Sequence, residues 1–141
     1  MSRYFNQDEL SWVQTPVRGG TIMSKSIVWE GDYDTRSAFF RMPKGMSVPM
    51  HDHPKWVQVM VVSGEMEVET EEDGMVHIKA GGCYFVEAGD IHKETAVEDT
   101  MVLVTHDSSS WLKYLLTSAS LLYRQPFIAS ANWPRSAACQ R

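Results

Sequence analysis

The stretch that most directly indicates the fold is residues 57–78, which read VQVMVVSGEMEVETEEDGMVHI. Polar and apolar residues alternate over 66–70, and a second short β-rich run follows at 76–78. Because successive side chains of a strand point to opposite faces, this alternation is typical of a strand with one buried face. Asp73-Gly74 separates the two runs, and this dipeptide favours a tight hairpin turn. The stretch therefore predicts paired antiparallel strands.

Similar short runs recur along the chain and are separated by turn-forming residues. They lie at 27–29, 37–40, 57–62, 66–70, 76–78, 83–86 and 101–105. The separators are rich in Gly, Pro and Asp, as at Pro43-Lys44-Gly45 and Gly81-Gly82. Closely spaced strands of this kind predict an all-β antiparallel sandwich or barrel.

Two less regular segments flank the predicted barrel. Residues 1–25 are expected to form an irregular N-terminal arm with one short strand, and the barrel is expected over 26–107. Residues 108–141 are expected to form a short helix followed by a tail that is loosely ordered or docks on a partner. The helix is predicted from the helical spacing of apolar residues such as Trp111 and Tyr114.

Length and composition indicate one ordinary globular domain of 141 residues, with 43% hydrophobic and 22% charged residues. The net charge is −5 and the basic residues are scattered, which argues against a nucleic-acid partner. No apolar run approaches the roughly 20 residues that cross a bilayer, and the first residues lack an apolar signal core. We therefore expect a cytoplasmic protein with no membrane partner. The two cysteines, Cys83 and Cys139, do not suggest a disulfide framework.

His51-Asp52-His53 is the most informative tripeptide in the chain. Residues two apart on an extended segment face the same side, so the two imidazoles can point at one place. A third histidine, His92, follows a turn at 89–91, where the next strand is expected to begin. Three neutral imidazoles suit Fe, Zn, Ni or Cu and leave coordination positions open, as a catalytic metal requires. The sequence therefore predicts a divalent metal ion bound by three histidines.

These residues resemble the two conserved motifs of the cupin superfamily. The first motif is matched by Gly45, His51, His53 and Gly64, and the second by Gly81, Glu87, Gly89 and His92. The resemblance implies a double-stranded β-helix, the cupin jelly-roll barrel, with a metal inside it held by the three histidines. It also implies a homodimer, because single-barrel cupins commonly pair through exposed strands or arms.

The chain departs from the cupin pattern where a Glu or Gln usually supplies a fourth ligand. Counting back from Gly64 places Val57 at that position, and a valine cannot bind metal. Counting forward from His53 places Gln58 there, which could bind only if a bulge turned its side chain inward. We therefore expect a three-histidine site, with Gln58 as a less favoured fourth ligand.

Three neutral ligands leave the +2 charge of the metal uncompensated, so such a centre attracts anionic, chelating substrates and acidifies bound water. The leading hypothesis is a metal-dependent enzyme acting on a small organic substrate, with a preference for an Fe(II) dioxygenase. An iron centre would resemble the three-histidine sites of cupin dioxygenases that cleave β-dicarbonyl and thiol substrates. The alternatives are a non-redox lyase, isomerase or hydrolase using Zn, Ni or Mn, and a non-enzymatic module that binds a small molecule.

Glu94 is the candidate catalytic residue. It follows His92 by two positions and should share its face of the strand. Its carboxylate could accept a hydrogen bond near the metal, act as a general base, or lie solvated at the barrel rim. His77 is expected to be exposed, and His106 is expected to lie at the rim rather than to bind metal.

Overall fold

The computed structural model describes residues 4–30 and 33–108. Strands separated by turns run through these ranges, as the alternating pattern and the turn-forming residues of the sequence predict. The strands are β1 (Val13–Pro16), β2 (Ile22–Glu30), β3 (Thr35–Met42), β4 (Ser47–His51), β5 (Val57–Ser63), β6 (Glu65–Thr70), β7 (Gly74–Lys79), β8 (Cys83–Val86), β9 (His92–Ala96) and β10 (Thr100–Asp107). Two short 3-10 turns, Gln7–Glu9 and Arg18–Gly20, complete the elements in these ranges. The all-β prediction is confirmed, whereas the predicted C-terminal helix lies outside the described residues.

The strands form two antiparallel sheets that share one core. The order in the six-stranded sheet is β1-β2-β3-β10-β5-β8, and the order in the four-stranded sheet is β4-β9-β6-β7. Neighbours in these orders are often far apart in the chain, as expected for a jelly roll, so the predicted architecture is confirmed. None of the described helices is long and apolar enough to cross a membrane.

The core is built from valine and methionine side chains at alternate strand positions. In β5, Val57, Val59 and Val61 are buried, whereas the residues between them are exposed. Met66 and Val68 of β6 pack against this set from the opposite sheet. The alternation in the sequence therefore marks the face of each strand that loses contact with water.

The hairpin predicted at Asp73-Gly74 joins β6 to β7. The two strands pair in register from Glu65 opposite Lys79 to Thr70 opposite Gly74. The turn is closed by the Asp73 amide, which donates to the Thr70 hydroxyl over 3.0 Å.

Gly64 links β5 to β6, and the structure explains why a glycine stands there. Its φ is +81°, and a Cβ atom at this position would lie 2.5 Å from the carbonyl oxygen of Asp99. A side chain is therefore excluded both by the backbone conformation and by the close approach of the segment before β10.

The N-terminal segment contributes more to the barrel than its sequence indicated. β1 is the predicted short strand, but β2 begins at Ile22, before the predicted boundary at residue 26. Between these strands, the turn Arg18–Gly20 packs on β4, and the Thr21 hydroxyl donates to the carbonyl of Ser47 over 3.0 Å. The segment thereby reaches the strand that carries the first candidate ligand.

Candidate metal centre

The fold brings the three predicted histidines together. His51 ends β4 and pairs directly with His92 at the start of β9, while His53 follows β4. The ring centroid of His51 lies 4.2 Å from that of His92 and 4.8 Å from that of His53. One ligand nitrogen from each residue lies within 4.8 Å of the other two. His92 is almost fully buried, with 1% of its surface exposed.

Backbone carbonyls orient two of the three rings. Nδ1–H of His51 donates to the carbonyl of Pro49 over 2.8 Å, and Nδ1–H of His92 donates to that of Asp90 over 3.2 Å. A carbonyl can only accept, so the proton of each neutral ring lies on Nδ1 and the lone pair on Nε2. This arrangement is typical of metal-binding histidines, whose second nitrogen is fixed by a hydrogen bond.

The surroundings of His51 and His53 favour their uncharged form. Burial lowers the pKa of His53 to about 4, with smaller contributions from the neighbouring histidines and Arg18. The pKa of His51 is also lowered, mainly by burial. Metal binding requires neutral imidazole, so these shifts leave lone pairs available near neutral pH.

The donor set fits a transition-metal ion. Histidine–zinc bonds are about 2.0–2.1 Å long, so two nitrogens on one ion lie roughly 2.9–3.4 Å apart at angles between square and tetrahedral. Nε2 of His51 and Nε2 of His53 are 3.1 Å apart. An all-nitrogen set suits Fe, Zn, Ni or Cu better than Mg or Ca, which prefer oxygen ligands.

Glu94 lies inside the barrel rather than at a solvated rim. It shares the inward face of β9 with His92, and its partners in register are the buried residues Val48 and Val68. Its carboxylate accepts a hydrogen bond from the hydroxyl of Tyr84, which reaches across from β8 in the other sheet. Burial raises the pKa of Tyr84 well above its usual value, and the charge of Glu94 raises it further, so the hydroxyl stays a donor.

Gln58, the less favoured fourth ligand, does not join this cluster. It lies on the exposed face of β5, opposite the face that carries Val57 and Val59. β5 pairs with β8 without a register shift from Val57 to Met60, so no bulge on this side turns Gln58 inward.

The remaining histidines are separate from the metal centre. His77 is exposed on β7, as expected, and its Nδ1 lies 2.8 Å from a carboxylate oxygen of Glu65. His106 lines a cavity of about 510 Å³ that opens beside His53. Arg18 lines the same cavity, and sequence reasoning missed it because nothing in the local sequence shows that the N-terminal turn packs on β4.

Comparison with known proteins agrees with this architecture. The sequence profile described as the ChrR Cupin-like domain matches residues 2–110. KdgF from Halomonas sp. superposes with a TM-score of 0.62 at 24% identity, covering 77% of this chain and 96% of that one. The cupin domain of Schizosaccharomyces pombe Cnp3 gives a TM-score of 0.64 at 13% identity, covering 84% and 82%.

A third likeness is to an RmlC-like cupin from Shewanella frigidimarina, with a TM-score of 0.62 at 16% identity, covering 80% of this chain and 96% of that one. At these identities the superpositions show a common fold. No curated protein sequence matches the chain.

Proposed function

The chain belongs to the family of ChrR cupin-like domains, and from this premise we propose that it is a metal-dependent enzyme acting on a small organic substrate. The observation that carries the proposal is the convergence of His51, His53 and His92, whose ligand nitrogens lie within 4.8 Å of one another. A cavity of about 510 Å³ adjoins His53 and gives room for a substrate beside the cluster. Three protein ligands would leave positions for that substrate, which a closed structural site lacks.

Within this class we favour an Fe(II) dioxygenase. A metal held by the three imidazoles would supply Lewis acidity and, as iron, the capacity for oxygen chemistry. The three neutral histidines would hold the ion without adding negative charge, which would favour an anionic substrate. Glu94 is the candidate for moving a proton, since it shares the inward face of β9 with His92. The Tyr84 hydroxyl holds the Glu94 carboxylate in place.

The first test is the metal content of protein purified without added metal. We expect about one transition-metal ion per chain in the wild type and in the control His77→Ala, because His77 is exposed and lies outside the cluster. His51→Ala and His92→Ala should lose the ion. Equal metal content in all four proteins would refute the site.

The second test separates the reaction classes. Oxygen consumption is measured with a panel of β-dicarbonyl, hydroxy-acid and aromatic substrates. Oxygen uptake that depends on His51 and His92 supports the dioxygenase. Turnover without oxygen uptake assigns the same centre to Lewis-acid lyase, isomerase or hydrolase chemistry, and stoichiometric binding without turnover assigns a binding module.

We also propose that the chain forms a homodimer, following its likeness to single-barrel cupins. Light scattering tests this directly, and a monomeric mass across the working concentration range would reject it.

A further inference from the structure

The cavity beside His53 carries an excess of positive charge. Its charged lining residues are the bases Arg18, Lys25, Arg36 and Lys55 and the acids Glu30 and Asp107. Four positive and two negative side chains leave a formal charge of +2 before any metal is bound. This is opposite in sign to the whole chain, whose net charge is −5. A local excess of this sign concentrates anionic ligands.

The two acids are already engaged with two of the bases. Arg36 Nη2 lies 2.8 Å from Glu30 Oε1, and Lys55 Nζ lies 3.4 Å from Asp107 Oδ1. The excess charge therefore lies on Arg18 and Lys25. Lys25 is placed over a ring in the cavity wall, with its Nζ 5.6 Å from the centroid of Phe40.

Arg18 lines the same cavity as His53, the cluster residue that borders this space. Among the residues that the structure describes, no carboxylate forms an ion pair with Arg18. A planar guanidinium in this position is suited to bidentate binding of a carboxylate.

The backbone holds Arg18 in place. The turn is closed by the Gly20 amide, which donates to the Val17 carbonyl over 3.1 Å, and by the Val17 amide, which donates to the Thr21 carbonyl over 2.8 Å. Gly19 lies directly against the ring of Pro49 in β4. The backbone that carries Arg18 is therefore packed against the same strand that carries His51.

Most of the uncharged lining side chains are apolar. Ile27, Trp29, Phe40, Trp56 and Val104 all line the cavity. Such a wall suits the body of an organic ligand, whereas a few placed polar groups fix its orientation.

We propose that this cavity binds a small carboxylate with an apolar or aromatic body, and that Arg18 anchors the carboxylate. The inference rests on the proposed function, because it assigns the substrate class of the same site. His53 belongs to both the cavity lining and the histidine cluster, so a ligand anchored by Arg18 lies beside the metal ligands.

Calorimetric titration with defined probes tests the proposal on the full chain as purified. The carboxylates are phenylacetate and hexanoate, and the matched neutral probe is phenylacetamide. We expect both carboxylates to bind at least about ten times more tightly than the amide, since a charge-assisted hydrogen bond contributes on the order of one to two decades in affinity. Failure of both carboxylates to bind, or equal affinity for phenylacetate and phenylacetamide, overturns the proposal.

Arg18→Gln is the diagnostic variant. It should weaken phenylacetate binding by about tenfold or more while leaving phenylacetamide unchanged, and Arg18→Lys should retain part of the affinity. Arg41→Gln is the control, because Arg41 lies over Trp12 at 3.8 Å and does not line the cavity. Equal effects of Arg18→Gln and Arg41→Gln overturn the assignment.

Metal content distinguishes this proposal from the proposed function. Arg18→Gln should keep the metal that His51→Ala loses, so a loss of carboxylate binding with metal retained concerns Arg18 alone. The titration is repeated after treatment with a chelator. If the chelated protein still prefers phenylacetate and Arg18→Gln abolishes that preference, the result supports Arg18 as the carboxylate anchor, even where the purified protein contains no metal. If Arg18→Gln no longer changes phenylacetate binding, the proposal is refuted.

Discussion

Replacing Gly19 by alanine is expected to destabilise the protein through contact with β4. Gly19 has a φ of +72°, and an added Cβ would lie 2.2 Å from Cγ and 2.7 Å from Cδ of Pro49. These distances are far inside van der Waals contact, and the proline ring cannot rotate away as a flexible side chain would. Either the turn or β4 must therefore move.

The expected cost has two parts. A left-handed backbone costs a residue with a Cβ about 1–2 kcal/mol relative to glycine, and overpacking costs about 1–3 kcal/mol more. Gly20 offers a matched control, because its φ is +80° and a Cβ there would meet nothing within 4 Å. Gly20→Ala should therefore incur the backbone cost alone, which leaves a difference of about 1–3 kcal/mol due to Pro49.

Urea unfolding of the metal-free variants measures this difference. With a slope near 2 kcal/mol per molar, typical of small proteins, Gly19→Ala should unfold about 0.5–1.5 M earlier than Gly20→Ala. Because the Pro49 carbonyl orients His51, Gly19→Ala should also weaken metal binding more than Gly20→Ala. Coincident unfolding midpoints for the two variants would refute the packing argument.

Three further predictions concern other parts of the barrel. Acidification from about pH 6.5 to pH 4 should lower the free energy of unfolding of the metal-free protein, because the pKa of His53 falls from 6.5 to about 4 on folding and the unfolded chain takes up the proton first. In a series of urea-unfolding curves recorded across this pH range, His53→Gln should reduce the dependence on pH. An unchanged pH dependence in this variant would contradict the assignment. Met66→Ala should lower the free energy of unfolding by about 2–5 kcal/mol, since Met66 is 1% exposed. The control Met75→Ala changes a residue that is 56% exposed and should have little effect. Similar losses in the two variants would contradict the placement of Met66 in the core. Tyr84→Phe should cost about 1–3 kcal/mol by removing the donor to Glu94, and a double-mutant cycle with Glu94→Gln should give a coupling energy well above zero.

Most of the strands predicted from the sequence have one face in the core, whereas β7 was predicted from its hairpin and is almost wholly exposed. The alternation in β5 and β6 is visible because burial selects apolar side chains at every second position. β4 was not among the strands predicted from the sequence, because it contains Pro49 and lies at the edge of its sheet. Edge strands tolerate proline, since one row of their amide groups has no partner in the sheet.

The histidine cluster was predictable because its spacing is local. His51 and His53 are two residues apart, and only the position of His92 depends on the fold. The partners of these residues were not predictable, since they come from distant segments. Tyr84 meets Glu94 across the two sheets, and Arg18 reaches the cavity through a turn packed on β4. Whether the Gln58 side chain points into the barrel depends on whether β5 has a bulge beside β8. The number of residues between the motifs does not determine this.

The position of β10 has a consequence for folding during synthesis. Although it follows all the other described strands in the chain, it lies between β3 and β5 and pairs with both. Until this segment has been synthesised, the edges of β3 and β5 that later pair with β10 lack that hydrogen-bonding partner. The local β6–β7 hairpin can form early, but closure of the larger sheet must wait until Asp107 has left the exit tunnel. Nascent chains stalled before β10 should therefore be bound by chaperones that recognise exposed strand edges.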